Sequence, residues 1–339
     1  MGKTSKAIFF PFILLAWLCS STILFGQTTQ IRGFVDAGVS VQKDKVSFGI
    51  NEQDLFITSQ LNDRFSFLGE TVFKFTAGTP TNFSVSVERI VIKFNFAGNH
   101  NLLVGKHHTP VNYWNDTYHH GRVFFPTIFR PLLFDVNIIP LHTVGVSFRA
   151  QNLGNLKFGY DLMVGNGIGS TEVADNNKGK SITAAVHIKP VAGLRLGISW
   201  YSDVIAKGSV THDNTLLKEQ VKQNLFSGSA TYFGKKFEFL AEGTLGYNKT
   251  DSLGARQTIA SYVYAGYKIK EKVVPYVRLD QTHFQAGEMF YHNNNTTYYI
   301  GGIRYNINYL TAVKIEYQYQ HAAIEGYGNK VSAQLAIGF

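Results

Sequence analysis

The sequence predicts an all-β chain closed into a transmembrane antiparallel β-barrel of about 16 strands. Three observations predict it. Hydrophobicity alternates with a period of two from Ile31 to the end, the period of strands rather than helices. Connections alternate between short and long, which would sort turns to one end of a barrel and loops to the other. The chain ends on an aromatic, with Val331, Ala333, Leu335 and Ile337 at every second position before Phe339.

Composition agrees. Charged residues make up 16% of the 339, against roughly 25% in soluble domains, and aromatic residues reach 14%. A mean hydropathy of −0.05 excludes a bundle of apolar helices, each of which needs about 20 apolar residues in a row. The aromatic content excludes disorder. Strands with one apolar and one polar face average to neutrality. The net charge is +9, but the basic residues form no cluster or basic helix, so nucleic acid is not expected as a partner. A preference for anions, as solutes or as lipid headgroups, is the remaining reading.

Taken in order, residues 1–26 read as a removed leader. Lys3 and Lys6 form its charged start, Ala7 to Cys19 its apolar core, and a cut after Gly26 fits. Losing both lysines takes the charge from +9 to +7. Cys19, the single cysteine, lies in this leader, so the mature chain has no disulfide framework. Residues 27–339 then form one barrel domain. In Thr29–Gln42, Ile31, Gly33, Val35, Ala37, Val39 and Val41 share a face, with Arg32, Asp36, Ser40 and Gln42 opposite. The second segment has no readable phase. The fourth, Phe83–Phe96, changes parity near Glu88, which reads as a bulge or an early turn. Leu156–Val164, Leu194–Tyr201, Phe237–Asn248, Thr311–Tyr319 and Asn329–Phe339 alternate cleanly. Short connections such as Gln60–Asp63, Gln151–Asn155 and Gly234–Lys236 follow even-numbered segments. Long ones follow most odd-numbered segments: Thr76–Asn82, His107–Leu141, Asn166–Gly179, Ser202–Gln223, Lys249–Arg256, Gln285–Asn295 and Gln320–Gly328. This arrangement places the N-terminus in the periplasm of an outer-membrane barrel. Apolar-face aromatics collect near strand ends and form two expected interfacial girdles. Phe65, Phe96, Phe237, Tyr267, Tyr305 and Phe339 lie toward the short turns, and Phe75, Trp200, Tyr247 and Tyr319 toward the long loops.

One connection stands apart. Gly105–Gly145 holds Pro110, Pro126, Pro131 and Pro140, and six of the 11 histidines lie in or beside it. A loop of about 35 residues is usually functional. Its apolar residues, among them Trp114, Phe125, Leu133 and Phe134, need burial, and folding into the lumen as the third extracellular loop would supply it. Lys106, His107, His108, Asn115, His119, His120, Arg122 and Arg130 are then the candidate constriction residues. A zinc or copper site from His107, His108, His119 and His120 is the alternative, but no spacing is diagnostic, and loop histidines that hydrogen-bond within the constriction are preferred. No metal or cofactor is expected. No serine lies between Gly105 and Pro140 to support a hydrolase, and no catalytic signature appears elsewhere.

Gly105-Lys-His-His-Thr-Pro110, Tyr113-Trp-Asn115, Tyr118-His-His-Gly121 and Arg130-Pro131 resemble the third-loop region of outer-membrane porins of Gram-negative bacteria, the phosphate-selective porin O/P-like group being the nearest that can be named. The terminal phenylalanine resembles the signal read by the barrel-assembly machinery. The resemblance implies a trimeric passive diffusion channel among outer-membrane lipid and lipopolysaccharide, passing small hydrophilic solutes.

The lumen face reads directly from the phase. Arg32, Lys74, Arg149, Arg278, Arg304 and Lys314 are the candidate pore-lining cations, with Lys157, Lys189, Arg195, Lys268 and Lys330 on the same face. Asp36, Glu70, Asp161, Glu238, Glu242, Asp280 and Glu316 oppose them. The cationic excess predicts a weak anion preference. The competing expectation is a non-conducting barrel, either an adhesin or one plugged by its own loop.

Overall fold

In the computed structural model, the described residues are 27–43, 45–76, 81–118, 121–167, 175, 177, 179–210, 215–291, 294–324 and 326–339. The expected leader, 1–26, lies outside them. Sixteen strands form one closed antiparallel barrel. They are β1 (Thr28–Gln42), β2 (Lys45–Gln60), β3 (Phe65–Phe75), β4 (Phe83–Ala97), β5 (His100–His108), β6 (His142–Leu153), β7 (Phe158–Gly165) and β8 (Ser181–Ile188) in the first half. The second half is β9 (Leu194–Ile205), β10 (Val221–Phe233), β11 (Phe237–Thr250), β12 (Gly254–Tyr267), β13 (Val273–Phe284), β14 (Thr296–Asn308), β15 (Thr311–Ala322) and β16 (Gly326–Gly338). Two short helices, α1 (Tyr113–Thr117) and α2 (Leu132–Asp135), lie in the β5–β6 connection.

Each strand pairs with its sequence neighbours, and β1 closes on β16. The closure extends to the last residue: Gly33 and Phe339 exchange backbone hydrogen bonds of 2.9 Å in both directions. A Cβ at Gly33 would stand 2.7 Å from the Asp54 carbonyl oxygen as well as 2.4 Å from the Phe339 ring, so this position needs glycine for the seam to shut. An unpaired edge cannot persist in lipid, so closure satisfies the backbone.

The outer wall is apolar. Ile31, Phe48, Ile92, Phe148, Ile198, Phe226, Val277 and Ile315 are exposed there. Large apolar side chains exposed around the whole circumference mark a lipid-facing surface. Of the expected girdle aromatics, Phe65, Phe96, Phe237, Tyr267, Tyr305 and Phe339 are exposed at the short-turn end, and Phe75 and Tyr247 at the other. The fourth strand carries its bulge where the parity changes: Glu70 pairs with Arg89 and Thr71 with Val87, leaving Glu88 as the extra residue. A bulge re-aims side chains along the rest of its strand.

Two connections depart from expectation. The β11–β12 and β15–β16 connections shrink to 251–253 and 323–325, because β11 runs on to Thr250, β12 begins at Gly254, β15 runs on to Ala322 and β16 begins at Gly326.

Candidate pore constriction

The β5–β6 loop folds into the lumen, as its apolar content requires. Thr109 N–H donates to the Leu141 carbonyl at 3.1 Å, and the Thr109 and Thr143 hydroxyls meet at 2.8 Å, closing its neck. Asn115 donates to the carbonyls of Thr109 at 2.9 Å and Leu141 at 3.1 Å. Fully buried, Asn115 therefore staples the neck and does not line the constriction expected for it.

Beyond the neck, Val111, Trp114, Phe125, Leu133, Phe134, Ile138 and Ile139 form one apolar core with inward-facing Tyr201, Leu225, Leu240, Tyr262, Tyr264, Tyr276 and Ile300. Each large side chain fully buried contributes about 1.5–3 kcal/mol. A second loop, 285–295, joins them: Phe290 and Tyr291 turn inward, and Glu288 accepts both their amides, at 3.0 and 2.7 Å. Half of the lumen, along β9–β14, is thus filled.

Polar groups of that wall hold the loop backbone. Glu242 accepts the amides of Tyr113 at 2.6 Å and Trp114 at 2.9 Å, which open α1, and the Tyr262 hydroxyl at 2.5 Å. Asp280 accepts Leu132 N–H at 2.9 Å where α2 begins. Glu316 accepts Ile128 N–H at 3.0 Å and the Tyr276 hydroxyl at 2.9 Å. Cations complete the pattern by donating to loop carbonyls. Arg278 reaches Phe129 at 2.7 Å and Arg130 at 3.2 Å, and also the Thr127 hydroxyl at 2.5 Å. Arg304 reaches Pro126 at 3.2 Å while pairing with Glu238 at 2.8 Å, and Lys314 reaches Arg122 at 2.5 Å and Thr127 at 3.2 Å.

These contacts correct the pore-lining assignment. Arg278, Arg304 and Lys314 face the lumen, but the loop covers them and their donors serve its carbonyls. Arg122 likewise braces: it donates to Glu52 at 2.8 Å and lies 4.0 Å from Asp36. Arg130, half-buried, sits in the field of Arg122, Glu52 and Asp135. Lys74 is 3.9 Å from both Glu52 and Glu88.

Lys106 is the clearest correction. In β5 the inward row passes through Leu103, Gly105 and His107. Lys106 pairs with Ile90 and Val144 on the outward row, and its ammonium donates to the Val87 carbonyl at 2.6 Å. Alternation alone excludes it from the pore. Gly105 adopts φ 129° with Ile90 oxygen 2.0 Å from any Cβ, so glycine is required there.

The other side of the lumen is open and polar. A cavity of about 460 Å³ runs along β1–β6 and is lined by Gln30, Thr58, Arg89, Lys93, His107, His108, Asp116 and Arg149, among others. Arg32 stands on the inward row of β1 near its mouth, donating to Gln30 at 2.9 Å. His107 and His108 are buried at its head, and the His108 ring lies 5.2 Å from that of His142, which approaches Glu88 at 3.4 Å. Arg149 bridges wall and loop, 2.6 Å from Asp116 and in a short contact with Asp161. Burial opposes charge on Asp116, but Arg149 and then Arg195 outweigh it and hold the carboxyl below the usual carboxylate range. His119 and His120 lie outside the described residues. Among the described residues, no three potential ligands gather as a metal would need.

Several lumen residues had no readable signal in the sequence. Glu52 and Asp54 face inward on β2 in register with Lys74 and Val72, and Arg89 and Lys93 face inward on β4 opposite Glu70 and Ser66. The shifts in register that hid them sit at Val35/Ala37 and at Glu88. Tyr291 and Phe290 could have been suspected from the apolar run Met289–Tyr291 inside an otherwise polar loop.

No protein-family model matches the chain, and no curated protein matches it. Solved structures do. An anion-selective porin from Comamonas acidovorans superposes with a TM-score of 0.69 at 12% identity, over 93% of this chain and 100% of that one. The trimer form of OmpT, an outer membrane protein of Vibrio cholerae, gives 0.64 at 14% identity over 93% and 100%. The outer membrane channel DcaP of Acinetobacter baumannii gives 0.65 at 13% identity over 94% and 99%. At these identities the likeness is one of fold, and the chain has the 16-stranded fold of outer-membrane porins and channels.

Proposed function

We propose that the protein is a passive channel of the bacterial outer membrane, with its short turns in the periplasm, whose solute path runs off-centre between the inserted loop and the β1–β6 wall. The carrying observation is the polar cavity of about 460 Å³ on that side, beside a half-lumen filled by apolar side chains. The path suits small hydrophilic solutes and has a weak anion bias, because Lys93, Arg89 and Arg149 line it. Glu70, Asp116 and Asp161 offset much of that charge. Since the wall cations serve the loop backbone, nothing supports a ladder of lysines for phosphate, and membership of the phosphate-selective group is not part of this proposal. Planar-bilayer recording tests it: a small ohmic conductance is expected, and a folded protein without channels overturns it.

A second reading, a barrel plugged by its own loop, is favoured by the continuous apolar core from Trp114 to Tyr291. Liposome swelling separates the two, since a plugged barrel admits no sugars. A homotrimer fits the neighbouring fold in its trimer form and the outward placement of Lys106. Lipid would oppose that charge by about 2–4 kcal/mol at mid-depth, which a protein-covered wall relieves. Cysteine crosslinking through Val104, its outward neighbour on β5, tests this contact.

A further inference from the structure

The outer wall of β9–β12 carries a feature that a uniform lipid-facing surface does not need. Lys222 on β10 and Lys249 on β11 are register partners at the long-loop end. Both are exposed, and both stand on the outward row, which continues through Phe226 on β10 and Tyr247 on β11. Directly opposed residues have Cβ atoms about 4.5–5.5 Å apart, and like charges in that position repel. Neither lysine makes an ion pair or a side-chain hydrogen bond among the described residues. The nearest acids in sequence are Glu219 and Asp251. Glu219 is occupied by Ser252, whose amide donates at 3.1 Å and whose hydroxyl also donates.

Down the same two strands the wall becomes concave. A depression of about 640 Å³ opens over Gly228, Ala230, Ala241 and Gly243, flanked by Ile198 and Val263. Gly228 and Gly243 are register partners in strand interiors, where glycine is unfavourable. A Cβ at Gly228 would meet nothing within 4 Å. Backbone packing therefore does not demand that glycine, and the missing side chain is what leaves the surface hollow. Six residues separate Lys222 from Gly228, about 20 Å along a strand and about 15 Å of depth once tilted. That is half of the roughly 30 Å hydrocarbon layer, the depth at which the tails of one leaflet end.

We infer that this wall is a binding site for a phosphorylated lipid of the leaflet at the long-loop end, its phosphate between Lys222 and Lys249 and an acyl chain descending over Phe226 and Leu245 into the depression. A phosphate removes the repulsion of the lysine pair and forms charge-assisted hydrogen bonds to both ammoniums. The tail supplies the apolar contact that the glycines leave open. The membrane-spanning fold is its basis, and it is independent of whether the barrel conducts.

The test is lipid binding by the purified full-length barrel in detergent, followed by native mass spectrometry with bis-phosphorylated lipid A as the probe. Binding is expected to fall at least tenfold in Lys222→Gln/Lys249→Gln, and to fall for the enzymatically dephosphorylated probe with the unaltered protein. Gly228→Leu, which fills the depression and leaves the lysines in place, is expected to weaken binding severalfold. Retained heat-modifiable mobility and unchanged bilayer conductance show that each variant is folded. Equal binding by the double-lysine variant, or by the dephosphorylated probe, overturns the site. A non-conducting wild-type protein that still binds the probe through its lysines overturns the channel reading alone.

Discussion

Glu242 concentrates three donors on one carboxylate: the amides of Tyr113 and Trp114 and the Tyr262 hydroxyl. Trp114 and Tyr262 are buried in the apolar core and half-buried Tyr113 packs against it, so little water can replace an acceptor that is removed. Leaving a buried donor unmatched costs about 1–3 kcal/mol, more where the lost partner is charged. Glu242→Ala is expected to destabilise the barrel by about 3 kcal/mol or more. Glu242→Gln keeps one oxygen acceptor and should lose about half as much. Thermal unfolding followed by loss of the compact electrophoretic form checks the ordering, and equal midpoints for both variants and the wild type would falsify the role of this carboxylate.

At the scale of elements, α1 is five residues long and has no side-chain cap at its start, so its own backbone cannot sustain it. It is held by Glu242 at one end and through Asp116 and Arg149 at the side. Asp116 has its carboxyl pKa depressed in the folded barrel, so its contribution is fully present above the unfolded value of about 3.9 and is lost as the pH falls through the lower folded value. Trp114 lies on the same helix and is buried, so its fluorescence reports docking. In a Trp200→Phe background, emission should stay blue-shifted down to about pH 3.9 and move red only below it. Asp116→Asn should be red-shifted already at neutral pH. A red shift of the parent between pH 6 and 5 would assign the docking to the histidines instead.

Elements also show how much was legible. Alternation on β10–β16 named the inward charges Glu238, Glu242, Arg278, Asp280, Arg304, Lys314 and Glu316, because those strands are regular over most of their length. The phase of β2 and β4 was unreadable because extra residues interrupt each ladder, and Glu52, Asp54 and Arg89 were lost with it. Inside the long loop, apolar content was enough to predict insertion, since Trp114, Phe125 and Phe134 had to be buried. What each polar residue does there was not legible. Asn115 and Arg122 act on partners 26 and 70 residues away in sequence, which no local pattern reveals. Lys106 was misplaced for a different reason. It adjoins the loop in sequence, but one more step of the β5 alternation turns it outward.

Over the whole molecule, charge in the lumen divides into two populations that the sequence presents as one. Arg278, Arg304 and Lys314 lie under the loop and stabilise the plugged half, while Arg89, Lys93 and Arg149 face the open half. Ion selectivity depends on charges that a passing ion meets, so only the second population should govern it. Arg149→Ala is expected to move the reversal potential in a salt gradient toward cation preference, leaving Asp116 and Asp161 uncompensated beside the path. Arg278→Ala should leave the reversal potential unchanged and instead destabilise the barrel by about 3–5 kcal/mol, because Asp280 loses its buried partner 2.9 Å away. Lys106→Ala should leave it unchanged as well, since the outer wall is screened from the pore by the sheet. A shift in Lys106→Ala matching that in Arg149→Ala would put the path on the other side of β5, and the division of the lumen into a filled and an open half would then fail.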